Sequence, residues 1–237
     1  MSTVVVQVTA GDGLCDDSAT ARHTVTFFTG QPGTSPASGL VSYWSFDDTT
    51  DDEAASFAPN VGEADDNMAA ALGTVRFPDG MVGGCVALGV ELEDAAWLDA
   101  PDSPDVDLPA TYTIEAWVFP TELADGWQRL VLRWRGVGLN SYHFAIRNEA
   151  GFSNAVSLFH AQGSDALEPN ANGGTVAANT WQHIAGVADG EFLRVYLNGE
   201  EVDAVPYDGT IVEGTGVGLG LGDMPGGDGL RYNGYLD

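Results

Sequence analysis

The amino-acid sequence predicts an all-β protein, a sandwich of two antiparallel sheets, and three observations carry that expectation. Short runs of β-branched and aromatic residues recur at regular spacing, roughly a dozen of them. Gly, Asn, Asp and Pro separate these runs, with 31 glycines and 11 prolines in 237 residues, so turns are frequent. Helical periodicity is nearly absent along the chain. A chain of this length can bury roughly 70% of its unfolded surface, which is enough for a sizeable core.

In chain order, Thr3–Val8 alternates loosely between apolar and polar residues, Gly11–Gly13 turns, and His23–Phe28 repeats the β-branched pattern. Two strands in thirty residues cannot bury a core of their own. Residues 1–30 are therefore expected to be a short β fragment, the last strands of a preceding immunoglobulin-like domain, and the chain a piece of something longer. Residues 31–39, Gln-Pro-Gly-Thr-Ser-Pro-Ala-Ser-Gly, have the composition of a linker. Residues 40–237 form the main domain. Its expected strands are Val41–Phe46, Val75–Phe77, Cys85–Leu88, Ala96–Leu98, Thr111–Phe119, Arg129–Arg135, Tyr142–Arg147, Val156–His160, Trp181–Ala188, Phe192–Leu197, Glu201–Val205 and Val217–Leu221.

Two local patterns sharpen this reading. Asn198-Gly199 between two strand runs predicts a tight type I′ hairpin, because both central residues of that turn need positive φ. In Thr111–Phe119, Tyr112, Ile114, Ala116 and Val118 share one face, and Thr111, Thr113, Glu115, Trp117 and Phe119 share the other. The glycine-alternating run Gly214–Gly222 lacks Lys and a following helix, so it predicts a closely packed strand and not a phosphate loop.

Charge excludes whole classes of partner. The chain carries 35 acidic residues against 8 arginines, has no lysine, and has a formal net charge of −27. Nucleic acids and anionic membrane surfaces both need clustered Lys or Arg, so neither is an expected partner. Cations and neutral ligands such as sugars remain, and saline surroundings would screen the self-repulsion. No uninterrupted apolar run is long enough to insert into a membrane. Cys15 and Cys85 have no CxxC partner, which excludes a zinc site; a single disulfide between them is open to the sequence, and a buried free thiol is the simpler reading.

Five strings fall in an order that resembles the LamG-like jelly-roll family of the concanavalin A-like lectin/glucanase superfamily. They are Leu40–Asp47, Gly83–Leu88, the pair Ala100–Pro104 and Tyr112–Pro120, Asn179–Val187, and Leu193–Gly199. The resemblance implies a jelly-roll sandwich and extracellular modules of adhesins, surface proteins and carbohydrate-active enzymes. Such domains usually run on from a Gly-x-Leu-Asp string into a further strand, whereas this chain ends at Gly234-Tyr235-Leu236-Asp237, so a domain truncated before its last strand is expected.

The superfamily includes glucanases with a Glu-x-Asp-x-x-Glu strand, and their chemistry needs two closely spaced carboxylates. The nearest string, Glu91–Ala96, lacks the third carboxylate, so no catalytic residues are expected and the protein is read as a non-enzyme. In the family's Trp-x-His strand, His183 is expected to pack. A structural calcium ion is the candidate cofactor: Asp47 and Asp48 close the opening strand, and the resemblance places Asp237 next to that strand, so three carboxylates would converge. Sugar binding needs an aromatic face plus planar polar groups. Trp127 and Tyr207 in loops and Trp134 on a strand between Arg133 and Arg135 are the candidates, whereas Trp44, Trp117 and Trp181 sit in strand motifs and are expected to pack. The expected function is an extracellular, noncatalytic recognition module for a glycan or an extracellular protein. The alternatives are an accessory domain of a carbohydrate-active enzyme and a structural spacer in an adhesin-like surface protein.

Overall fold

The computed structural model describes residues 3–10, 21–28, 42, 44, 46, 57–58, 68–72, 78–81, 83–89, 96–102, 107–134, 140–160, 169–209, 216–227 and 229–237. Among them every regular element is a strand. The strands are β1 (Thr3–Ala10), β2 (Ala21–Phe28), β3 (Phe57–Ala58), β4 (Met68–Leu72), β5 (Val86–Leu88), β6 (Trp97–Ala100), β7 (Tyr112–Pro120), β8 (Gly126–Trp134), β9 (Asn140–Glu149), β10 (Phe152–His160), β11 (Asn170–Gly173), β12 (Gln182–Ala188), β13 (Phe192–Leu197), β14 (Glu200–Pro206), β15 (Leu219–Leu221) and β16 (Gly234–Leu236).

β1 and β2 pair with each other as an antiparallel ribbon running from Thr3↔Phe28 to Ala10↔Ala21. The other strands form two antiparallel sheets, one of eight in the order β11-β10-β9-β8-β15-β6-β4-β3 and one of six in the order β14-β13-β12-β7-β16-β5. The sandwich of two sheets is as expected. One face of each sheet supplies the core, including Leu98, Leu130, Phe144, Ile146, Val156 and Leu158 from the larger sheet and Val118, Ile184, Leu193 and Val195 from the smaller. Of the two faces of β7, the one with Tyr112, Ile114, Ala116 and Val118 turns inward: Tyr112 and Val118 are in the core, and Ile114 and Ala116 pack against it. At Gly186 of β12, an added Cβ would lie 3.1 Å from both Leu158 and Phe144, so a side chain there would press on the facing sheet.

The Asn198-Gly199 hairpin is present, with φ of 51° and 82° and Leu197 paired directly with Glu200. Asn198 also accepts a hydrogen bond from the His183 amide, at 3.0 Å, tying the turn to β12. Differences from the sequence reading have physical reasons. β4, Met-Ala-Ala-Ala-Leu, is made of good helix formers, yet pairing with β6 overrides that preference. β11, Asn-Ala-Asn-Gly, has little intrinsic strand preference and is held by its register against β10. β16 lies between β7 and β5, so Gly234-Tyr235-Leu236 is itself a central strand. Val75–Phe77 lies outside the described residues. Of the expected opening strand only Ser42, Trp44 and Phe46 are described, and Phe46, at φ 56°, is left-handed and not extended. Cys85 is fully buried, its thiol donating to the Asp79 carbonyl at 3.2 Å.

Candidate functional site

The eight-stranded sheet carries an aromatic and polar patch on the face turned away from the core. Direct cross-strand partners share a face, and the register places Trp127 opposite Arg147, Arg129 opposite Ala145, and Leu132 opposite His143. β10 extends the row with Phe159 beside His143 and Ser157 beside Ala145. An extra residue in β8 between Arg129 and Val131 brings Trp127 and Trp134, seven positions apart, to the same face, and a second irregularity opposite Leu132 and Trp134 puts its extra residue in β9. His143 is the centre of the patch: its ring lies 4.6 Å from Phe159, 5.2 Å from Trp127 and 5.4 Å from Trp134. It is fully buried, and neither ring nitrogen has a hydrogen-bond partner. Burial, and secondly the charge of Arg129, holds its pKa well below the usual value, so the imidazole is neutral. The Arg147 guanidinium stands 4.6 Å from the centre of the Trp127 ring and 3.9 Å from that of Phe152.

Residues 222–227 and 229–231 fold back over this face and are pinned by a buried charge. Asp223 is fully buried. Its Oδ1 accepts from Arg129 Nη1 at 3.0 Å and from the Met224 amide at 2.7 Å. Its Oδ2 accepts from Arg231 Nε at 3.2 Å and from the Gly229 amide at 3.3 Å. Gly220 of β15 makes the close approach possible, because an added Cβ there would collide with the Asp223 carbonyl and lie 2.9 Å from Pro225 Cδ. The closely packed strand expected over Gly214–Gly222 is β15, with this segment lying across it.

Between the folded-back segment and the β7–β8 turn lies a cleft of about 170 Å³, lined by Ala124, Asp125, Trp127, Gln128, Gly229, Leu230, Arg231 and Asn233. Asn148 holds the turn, its Nδ2 donating to the Ala124 carbonyl at 3.3 Å and to Asp125 Oδ1 at 3.4 Å. Gln128 is 2% exposed; its Nε2 donates to the Ala124 carbonyl at 3.2 Å, while its Oε1 is buried without a donor. On the opposite wall the Asn233 carbonyl accepts from the Thr121 amide at 3.0 Å, which fixes the chain there. Leu230, 39% exposed, rims the opening. The cleft thus offers an indole, two amide side chains, a guanidinium and one carboxylate.

The sequence-predicted residues are divided by this geometry. Trp127 and Trp134 share one patch, through His143 and Phe159. Trp127 stands on β8 and not in a loop as expected, because the strand begins at Gly126. Tyr207 is not an exposed loop aromatic. It is 4% exposed within the core, with His160 edge-on at 4.8 Å, and burial pushes its hydroxyl up to about 12. Asp47 and Asp48 lie outside the described residues, as does most of the Glu91–Ala96 string. Asp237 exchanges two backbone hydrogen bonds with Trp117. Among the described residues no group of three or more His, Cys, Asp or Glu is placed to hold a metal ion. Trp44 packs against the core, and Trp117 meets His183 edge-on at 5.3 Å. Gln128, His143, Phe159, Asp223, Arg231 and Asn233 escaped the sequence reading. The one available signal was the rarity of arginine, since three of the eight gather here.

Comparison with known proteins places the chain in a family. The profile of the concanavalin A-like lectin/glucanases superfamily (Laminin_G_3) matches residues 92–237, more than half of the chain, and the protein belongs to that family. No curated protein matches the sequence significantly. Solved structures share the fold. Domain 4 of AbnA, an extracellular GH43 arabinanase from Geobacillus stearothermophilus solved with arabinotriose, aligns over 71% of this chain and 79% of its own at TM-score 0.53 and 17% identity. The binding domain of Paraclostridial Mosquitocidal Protein 1 aligns over 78% of this chain but 47% of its own, at TM-score 0.56 and 12% identity. The binding domain of botulinum neurotoxin DC, solved with rat synaptotagmin II, aligns over 78% and 46%, at TM-score 0.54 and 10% identity. This chain thus spans about half the length of the two toxin domains.

Proposed function

We propose that this protein is a noncatalytic, extracellular carbohydrate-recognition module that meets its ligand at the cleft beside Trp127. The observation that carries the reading is the lining itself. An indole for the C–H face of a sugar ring stands beside Gln128, Asn233 and Arg231, whose planar polar groups suit hydroxyls. A single carboxylate, Asp125, lines the cleft, whereas glycoside hydrolysis uses a pair, which favours binding over cleavage. The arabinotriose in the AbnA domain structure is consistent with a sugar ligand on this fold, as synaptotagmin on the toxin domain is with a protein ligand.

Structural calcium, with Asp237 joined by Asp47 and Asp48, is a separable part of the proposal. A glycan array probed in calcium and again in EDTA tests both parts. The protein is expected to bind a restricted set of glycans, and Trp127→Ala to weaken binding by at least about tenfold, the loss of roughly 1.4 kcal/mol. Signals lowered by EDTA would support the ion. An array with no signal for the wild type, or signals untouched by Trp127→Ala, would contradict the reading.

A further inference from the structure

The cleft holds two polar groups whose hydrogen-bonding capacity is unspent, and together they define the kind of sugar that fits. Arg231 uses only Nε, on Asp223, and its two Nη nitrogens have no partner among the described residues. Its guanidinium is held 5.2 Å from the centre of the Trp97 ring, and its side chain is 28% exposed where it lines the cleft. The fork therefore has a fixed orientation and two free donors, the geometry that takes both oxygens of a planar carboxylate. On the same lining, Gln128 Oε1 is buried with no donor, a cost that a ligand hydroxyl would remove.

We propose that the cleft recognises a sugar acid, with the carboxylate on the Arg231 fork, a ring hydroxyl donated to Gln128 Oε1 and the ring face on Trp127. This rests on the carbohydrate-binding reading and adds the ligand's charge to it. Asp125, exposed on the opposite lip, sets the direction: it repels the acid group and accepts from hydroxyls, so the carboxylate points toward Arg231. The net charge of −27 opposes any anion at long range, but that repulsion is screened within about 3 Å at 1 M salt, while a contact pair in the cleft is screened less. Discrimination is therefore read best at high salt.

Calorimetric titration with disaccharides that contain glucuronic or galacturonic acid, against their glucose and galactose counterparts, tests the assignment. The acids are expected to bind roughly tenfold more tightly than the neutral sugars. Arg231→Gln is expected to abolish that difference, acid and neutral sugars then binding alike. Arg231→Lys retains a cation beside Asp223 but lacks the fork, so it is expected to lose most of the preference with an unchanged melting temperature. Equal affinities for acid and neutral sugars, both lost in Trp127→Ala, would overturn the sugar-acid assignment alone. Absence of binding to any of these sugars, acid or neutral, would overturn it together with the carbohydrate reading beneath it.

Discussion

Two buried histidines make acid the natural probe of single residues. His160 stands at the end of β10, facing inward, where its Nε2 accepts from the Tyr112 hydroxyl and its ring stacks on Tyr112 at 5.4 Å. Burial pushes the Tyr112 hydroxyl well above its ordinary value, so it remains a donor. Burial also lowers the His160 pKa to about 4, and His143 is lowered well below 6.5 for the same reason. Both rings are neutral in the fold but take up protons near pH 6.5 once unfolded. Their contribution is therefore fully present above that pH and is lost as pH falls below it, for His160 as pH goes from about 6.5 toward 4. For His160 alone the loss amounts to about 3 kcal/mol across that window. Urea unfolding at pH 7, 5.5 and 4.5 measures it, and His160→Gln is expected to flatten part of the slope. A midpoint that does not move between pH 7 and 4.5 would contradict the account of these two rings.

At the scale of elements, the cleft exists because one segment is fastened to one strand. Asp223 is charged, inaccessible to solvent and satisfied by Arg129, Arg231 and two backbone amides. Removing it would leave Arg129, itself 3% exposed, buried without that partner. Such losses cost about 3–5 kcal/mol, so Asp223→Ala is expected to lower the unfolding free energy by that amount and to open the cleft. Chemical denaturation gives the number, and a loss below about 1 kcal/mol would contradict the fastening role. The elements differ in how far the sequence revealed them. Asn198-Gly199 declared its turn because so few residue pairs accept two positive φ angles. The alternation of β7 declared its faces because the strand is regular. β8 hid its faces because the extra residue between Arg129 and Val131 breaks the alternation that places Trp127 and Trp134. The Asp223 fastening was also hidden, since it joins residues 94 positions apart with no local motif between them.

For the whole molecule, the fold was legible from ordered strand signals, and family membership follows from the same residues. The site was legible only in part, because a cleft between a turn and a folded-back segment is made by tertiary packing and leaves no periodic trace. Trp127 was visible as a tryptophan outside the core motifs, whereas Tyr207, equally suggestive in sequence, is taken into the core between β14 and the end of β10. The two sheets also offer two distinct outer faces, each with tryptophans. Trp127 and Trp134 stand on the eight-stranded sheet, and Trp117 and Trp181 pack with His183 and Phe119 of the six-stranded one.

That separation makes the central claim directly measurable. The indole N–H resonances of the six tryptophans can be followed by NMR while the tightest-binding oligosaccharide from the array is added. Recognition at the cleft predicts a saturable shift of the Trp127 signal with Trp117 and Trp181 unmoved. Shifts at Trp117 or Trp181 with Trp127 unchanged would place the ligand on the other sheet and contradict the account.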